Sequence, residues 1–327
     1  MNKKYLILAI LVITQLAFAR KTIIKMATLA PEGTDWHGML LEMGQEWKKA
    51  TNGRVRLRLY PGGVVGDERD MVRKMRIGQI HSAAISTEGL YEINPNFAAF
   101  YVPMLFQDLD DIEYVTEKLN TELYQGTNEK GFQLLYLVDV GWAYWFGKKP
   151  IYTPSDLKTH KLFTWAGDYA WAEVWRKAGY NPVPLAMTDL LSGLQTGLID
   201  ALSTIPLYAL AQQSFGITNH MLDMKWGILM AGIVVDNKTW SRISKKDQKA
   251  MQIIVNTIRD KHIEKNRDAA QEALNVMQEH GLEIHKPTEM QVQSWKNEVE
   301  SMYPLLRGQA IEENIFDKVI QIMKEKP

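Results

Sequence analysis

Lys161, Phe163 and Trp165 stand two residues apart in "KLFTWAG". A strand there presents one cation and two large rings on one face, with Leu162 and Thr164 on the other. Such a face is either core or the wall of a place where an apolar body comes to rest. A second aromatic run, "GWAYWFGKKP", holds Trp142, Tyr144, Trp145 and Phe146, and Tyr169, Trp171 and Trp175 follow. Trp171 and Trp175 share a helical face and read as core. Trp142, Tyr144, Phe163 and Trp165 fall near strand ends and a domain boundary, where ligands of α/β sheets collect, and read as a ligand wall.

Residues for covalent or acid–base chemistry show no comparable order. There is no GxSxG elbow, HExxH, GxxxxGK[ST] or GxGxxG, and no cysteine nucleophile. The seven histidines are scattered. His280 and His285 are spaced by five across a helix-ending glycine, a poor zinc pair, so neither a metal nor a cofactor is expected. The chain does not read as an enzyme.

The first 19 residues read as a secretory signal: Lys3 and Lys4, an apolar run from Tyr5 to Leu16, then Ala17-Phe18-Ala19. The run is shorter than the ~20 residues that span a bilayer. Cleavage after Ala19 leaves 308 of the 327 residues, a length that suggests two lobes. With no cysteine, the exported product has no disulfides, thiolate metal sites or lipid-modified N-terminus. Basic and acidic residues both number 38, so no net field favours nucleic acid or anionic lipid. These features place a soluble protein in the periplasm, without a lipid anchor.

Strand and helix patterns alternate. "IIKMATLA" reads as a strand; Thr34 caps a helix carrying Trp36, Met39, Leu40, Met43 and Trp47. "RVRLRLY", the stretch from His81 to Ser86, "FQLLYLV", "LIDALS" and "WGILMAGIVVD" read as further strands, and the βα alternation predicts a mostly parallel sheet. From Ser244 to Gly281 a single helix is expected, roughly 50 Å long and too long for one lobe. Its apolar stripes, Met251, Ile254, Val255 and Ile258 and then Ala270, Ala273, Leu274 and Met277, flank the polar "RDKHIEKNRD". A helix polar at its middle bridges two bodies.

Several stretches together resemble one family: "LAPEGTDWHGML", "ATNGRVRLRLYPGGVVGDERDMVRKMRIGQI", "YVPMLF", "PSDLKTHKLF" and "AGYNPVPLAMTDLLSGLQTGLIDAL". In that order they are similar to the substrate-binding protein of tripartite ATP-independent periplasmic (TRAP) transporters, of the C4-dicarboxylate-receptor type. The resemblance implies an α/β, two-lobed Venus flytrap fold with one long helix along both lobes, and transfer of ligand to membrane subunits. It also implies an arginine that clamps a ligand carboxylate on the strand of "KLFTW", where this chain has Phe163. A second arginine position falls in "GWAYW", and an asparagine position is Thr204. All three departures remove carboxylate chemistry. An arginine–carboxylate bond is worth about 1.5–3 kcal/mol, and an unpaired carboxylate against a ring costs several.

The expected function is therefore a TRAP receptor for a small, largely apolar or aromatic ligand. Phe163, Trp165, Trp142, Tyr144, Thr204, Tyr208, Lys161, Glu88 and Trp226 form the candidate ligand-binding set. Lobe I is expected over 20–141 and 231–262, lobe II over 142–230 and 263–327, with hinges near Gly141 to Pro150, Met230 to Asn237 and the helix middle. Three alternatives stay open: a monocarboxylate held by Lys161, Lys148 or Lys149; an exported enzyme; and an interaction protein using the aromatics as a partner surface.

Overall fold

The computed structural model describes residues 21–326, apart from the side chains at 262 and 264–268. The signal segment, residues 1–19, lies outside the described residues. The chain begins with parallel βα units. β1 (Thr22–Thr28) pairs on one side with β2 (Val55–Tyr60) and on the other with β3 (Ser82–Ser86). The helix Asp35–Ala50 between β1 and β2 starts where Thr34 Oγ1 accepts from His37 N at 3.3 Å, and it buries Met39, Leu40, Met43 and Trp47. Lys48 and Lys49 lie in its last turn, where cations suit the negative end of the helix.

The second half repeats the pattern around the aromatic strand. β5 (Lys161–Trp165) lies between β6 (Asn181–Leu185) and β7 (Ala201–Thr204), parallel to both. Two long strands, β4 (Phe132–Gly147) and β9 (Gly227–Asp236), join the halves, giving the order β2-β1-β3-β9-β4-β7-β5-β6. Both run antiparallel to their neighbours. The mostly parallel expectation thus holds within each half and fails at the junction, where the chain crosses and must return. β4 pairs with β9 as far as Ala143 and with β7 from Tyr144, so one strand serves both halves. Its register shifts between Leu134 and Tyr136 and again between Asp139 and Gly141. Gly141 takes φ 144°, which residues bearing a side chain rarely adopt. A small parallel pair, β8 (His220–Leu222) with β10 (Glu283–His285), edges the second half against the end of β4.

The long helix is Lys245–Glu279, opened by Ser244 Oγ accepting from Asp247 N at 3.1 Å. Its 35 residues reach roughly 50 Å. Met251, Val255 and Ile258 are buried in a core with Ile24, Met43 and Ile233. Met277 is buried in a second core with Phe146, Phe163 and Leu202. The two stripes read from the sequence therefore pack on two different cores, as a bridging helix must. A third core, rich in tryptophan, contains Trp145, Trp171, Trp175 and Trp226.

Candidate functional site

The carboxyl ends of β1, β3, β5 and β7 converge, through Thr28, Ser86, Trp165 and Thr204, on a cavity of about 380 Å³. Parallel strands deliver their following loops to this end of the sheet, where ligands of open α/β folds bind. The middle of the long helix reaches the cavity at Ala269, and Met187 and Tyr208 come from the second half. The walls are mostly apolar. Among the described lining residues the ionisable acids are Asp35 and Glu68, and there is no lysine, arginine or histidine.

Glu68 is buried at the start of the helix Glu68–Arg76. Its Oε1 accepts from Ser86 N at 2.8 Å, and its Oε2 from Ser86 Oγ at 2.7 Å and Gly89 N at 2.8 Å. Burial nevertheless pushes its carboxyl up to about 7, the three donors only moderating the effect. The close approach needs glycine at 89, where a Cβ would stand 2.9 Å from Ile85 and 3.0 Å from Glu68 Oε2. Burial, with the nearby Glu68 and Asp67 charges, raises the Tyr208 phenol.

A smaller cavity of about 180 Å³ shares Ala143, Trp165, Ser203 and Leu229 with the first, so Trp165 stands between the two. Its aromatic wall includes Tyr101, Trp145, Phe163, Trp171 and Trp226. Trp145 and Trp171 are buried, with no protein acceptor for either indole N–H. Glu88 also lines it, held by Arg69 Nε at 2.8 Å and Tyr101 OH at 3.0 Å. Burial, and then the charge of Asp168, push Glu88 up to about 8 against the pull of Arg69. Asp168, which caps the helix Tyr169–Lys177, is pushed up by burial to about 6.

Of the sequence-based set, Trp165, Thr204 and Tyr208 line the larger cavity, and Phe163, Trp165, Glu88 and Trp226 the smaller. Phe163 is also core, packed edge-on to Trp165 with centroids 5.7 Å apart. Trp142, Tyr144 and Lys161 line neither. "GWAYWFG" is not a strand end and loop but the continuation of β4, so its side chains alternate: Ala143 and Trp145 reach the cavities, and Trp142 and Tyr144 do not. Lys225 Nζ sits over the Trp142 ring, 4.4 Å from its centroid. The lysines considered as substitute cations are engaged or remote. Lys161 Nζ donates to Gly197 O, Lys148 Nζ donates to Leu194 O, and Lys149 is exposed.

Sequence reasoning missed Glu68, Trp145, Arg69 and Asp168. The alternation of β4 would have pointed to Trp145, whereas nothing local marks Glu68 as buried. The histidine pair weighed for zinc also changes partner: His285 meets His220 and Glu283, while His280 Nδ1 lies 2.8 Å from its own helix at Val276 O.

The model of the family described as "Bacterial extracellular solute-binding protein, family 7" matches residues 26–309. The chain belongs to this family. Its two-lobed α/β fold is that of TRAP periplasmic solute-binding proteins, and these relatives are binding proteins, not enzymes. A solute-binding protein of Roseobacter denitrificans is 26% identical over 241 residues, 72% of each chain. A TRAP periplasmic solute-binding protein of Sulfurospirillum deleyianum, solved with bound succinate, superposes with a TM-score of 0.83 at 20% identity, covering 92% of this chain and 98% of that one. A Haemophilus influenzae counterpart with bound L-gulonate gives 0.84 at 22% identity, covering 93% and 99%. Family 7 membership makes the chain an extracytoplasmic solute receptor of TRAP type. Among the described residues, no helix is long and apolar enough to cross a membrane.

Proposed function

We propose that this receptor captures a small, uncharged, largely apolar or aromatic ligand in the larger cavity and delivers it, in the periplasm, to the membrane subunits of a TRAP transporter. One observation carries the reading: the cavity offers Asp35 and Glu68 and no described cation. A carboxylate entering there would lose its hydration with no guanidinium or ammonium among the described lining residues in exchange, which costs several kcal/mol. An apolar body gains about 25 cal/mol for each Å² buried, so ~200 Å² yields about 5 kcal/mol. The relatives solved with succinate and L-gulonate hold acids; this chain has Phe163, which lines the adjoining smaller cavity, at the position where the resemblance implies a clamping arginine.

The lobes are taken as 20–141 with 231–262 and 142–230 with 263–327. The separate cores at the two ends of the long helix support that division. Ligand touching both lobes then favours the closed form by its differential affinity.

Native mass spectrometry of protein purified without unfolding, followed by extraction and identification of the retained compound, tests the reading. A neutral apolar or aromatic compound at one per chain is expected. Stoichiometric, tight binding of succinate or L-gulonate in titration calorimetry would overturn it.

A further inference from the structure

From the strand pair β8 and β10 we infer a second site, independent of the solute cavity: His220, Glu283 and His285 bind a divalent transition-metal ion of the zinc type. Glu283 stands opposite His220 in the parallel register. His285, two residues on, returns to the face of Glu283, because strand side chains alternate. The candidate ligand atoms of all three residues lie within 4.8 Å of one another.

The spacing fits a tetrahedral ion. Ligand atoms ~2.0–2.1 Å from zinc at tetrahedral angles are about 3.3 Å apart. His220 Nδ1 lies 3.0 Å from His285 Nε2 and 3.6 Å from Glu283 Oε2. His285 also has an orienting partner. Its Nδ1 lies 3.1 Å from the Tyr152 hydroxyl, leaving Nε2 for the metal, and such outer contacts fix the ring of a ligating histidine. The Tyr152 and His285 rings meet edge-on, with centroids 5.0 Å apart. Two imidazoles and one carboxylate select zinc-like ions over calcium or magnesium, which prefer all-oxygen sites; water completes the fourth position.

The placement implies a structural role. β8 pairs with β4 at Gly147, four residues or ~13 Å along the strand from the cavity-lining Ala143. The ion therefore does not touch the solute; it ties β10, which follows the long helix, to the sheet of the second half.

Untagged protein, stripped with a chelator and dialysed, is titrated calorimetrically with zinc chloride, and cobalt(II) absorption reports the geometry. One ion per chain and a tetrahedral cobalt spectrum are expected. His220→Ala and His285→Gln abolish both, Tyr152→Phe weakens binding about tenfold, and His280→Ala leaves it unchanged. Glu283→Gln, at an exposed side chain, weakens binding without disturbing the fold, which circular dichroism verifies. Absence of saturable binding, or binding retained in the folded His220→Ala/His285→Gln double variant, would overturn the inference.

Discussion

Arg69 donates from Nη1 to the main-chain oxygen of Gly167 at 3.0 Å and from Nε to Glu88 at 2.8 Å. One guanidinium thus ties the helix Glu68–Arg76 of the first half to the turn after β5 in the second. Two residues earlier, Asp67 Oδ2 accepts from Met187 N at 2.9 Å, a second bond between the same halves. Separation of the two halves would break both of these cross-links. Hydrogen bonds to charged groups contribute about 1.5–3 kcal/mol each, enough to shift an open–closed equilibrium at least tenfold. Arg69→Ala, and Asp67→Ser, which keeps a capping oxygen, are expected to enlarge the radius of gyration of ligand-free protein in solution scattering. Profiles identical to wild type would show that these bonds do not hold the cleft shut.

The buried acids set the response to pH. Glu68 and Glu88 titrate near 4.5 when unfolded and near 7 and 8 in the fold, so the folded chain holds more protons between those values. Their stabilising contribution is complete below about 4.5 and is lost as pH rises through 7 and 8. Melting temperature should therefore fall from pH 5.5 to 8.5, and Glu88→Gln should flatten that fall. Asp247 and Asp111 behave oppositely. Hydrogen bonds from Arg54 and Lys326 hold their carboxyls below 3.8, so their contribution is lost as pH drops below that value. A series of thermal melts from pH 3 to 9 separates the two limbs.

Restoring a guanidinium does not restore an acid site. Phe163 shares a core with Phe146, Leu190 and Leu202 and lines the smaller cavity beside Glu88 and Asp168, acids that already have partners, so Phe163→Arg forces a guanidinium into a buried site and is expected to cost about 3 kcal/mol. A lowered urea midpoint without gain of succinate binding is the expected outcome. Unchanged stability together with succinate binding would place position 163 in the ligand's path.

Gly89→Ala drives a methyl group against Ile85 and Glu68 Oε2. Overpacking of this kind costs about 1–3 kcal/mol. The variant should lower the melting temperature, and Glu68→Gln should not rescue it, because Ile85 still obstructs the methyl.

The two halves, the capped helices and the bridging helix were legible because each rests on local signals: the Thr34 and Ser244 caps, the two apolar stripes, the glycine stops. The site was legible only in part. Trp165, Thr204 and Tyr208, read from the resemblance and the aromatic pattern, line the larger cavity, whereas Trp142 and Tyr144 line neither cavity. Their run reads as a strand end and loop but continues β4, so alternation turns Ala143 and Trp145 to the cavities instead. Glu68 was invisible for another reason. A carboxylate on a polar-looking helix is normally solvated, and only the fold brings Ser86 and Gly89 over it.

β4 passes from one half to the other as one continuous strand, its ladder shifted near Leu134 and again at Gly141. A ribbon of that kind resists sliding and yields most readily to flexing. The halves of this receptor should consequently swing like the arms of a sprung tong, with small angular changes near Gly141 becoming large displacements at the rims farthest from it. Those rims are where a docking protein would read most easily whether cargo is aboard.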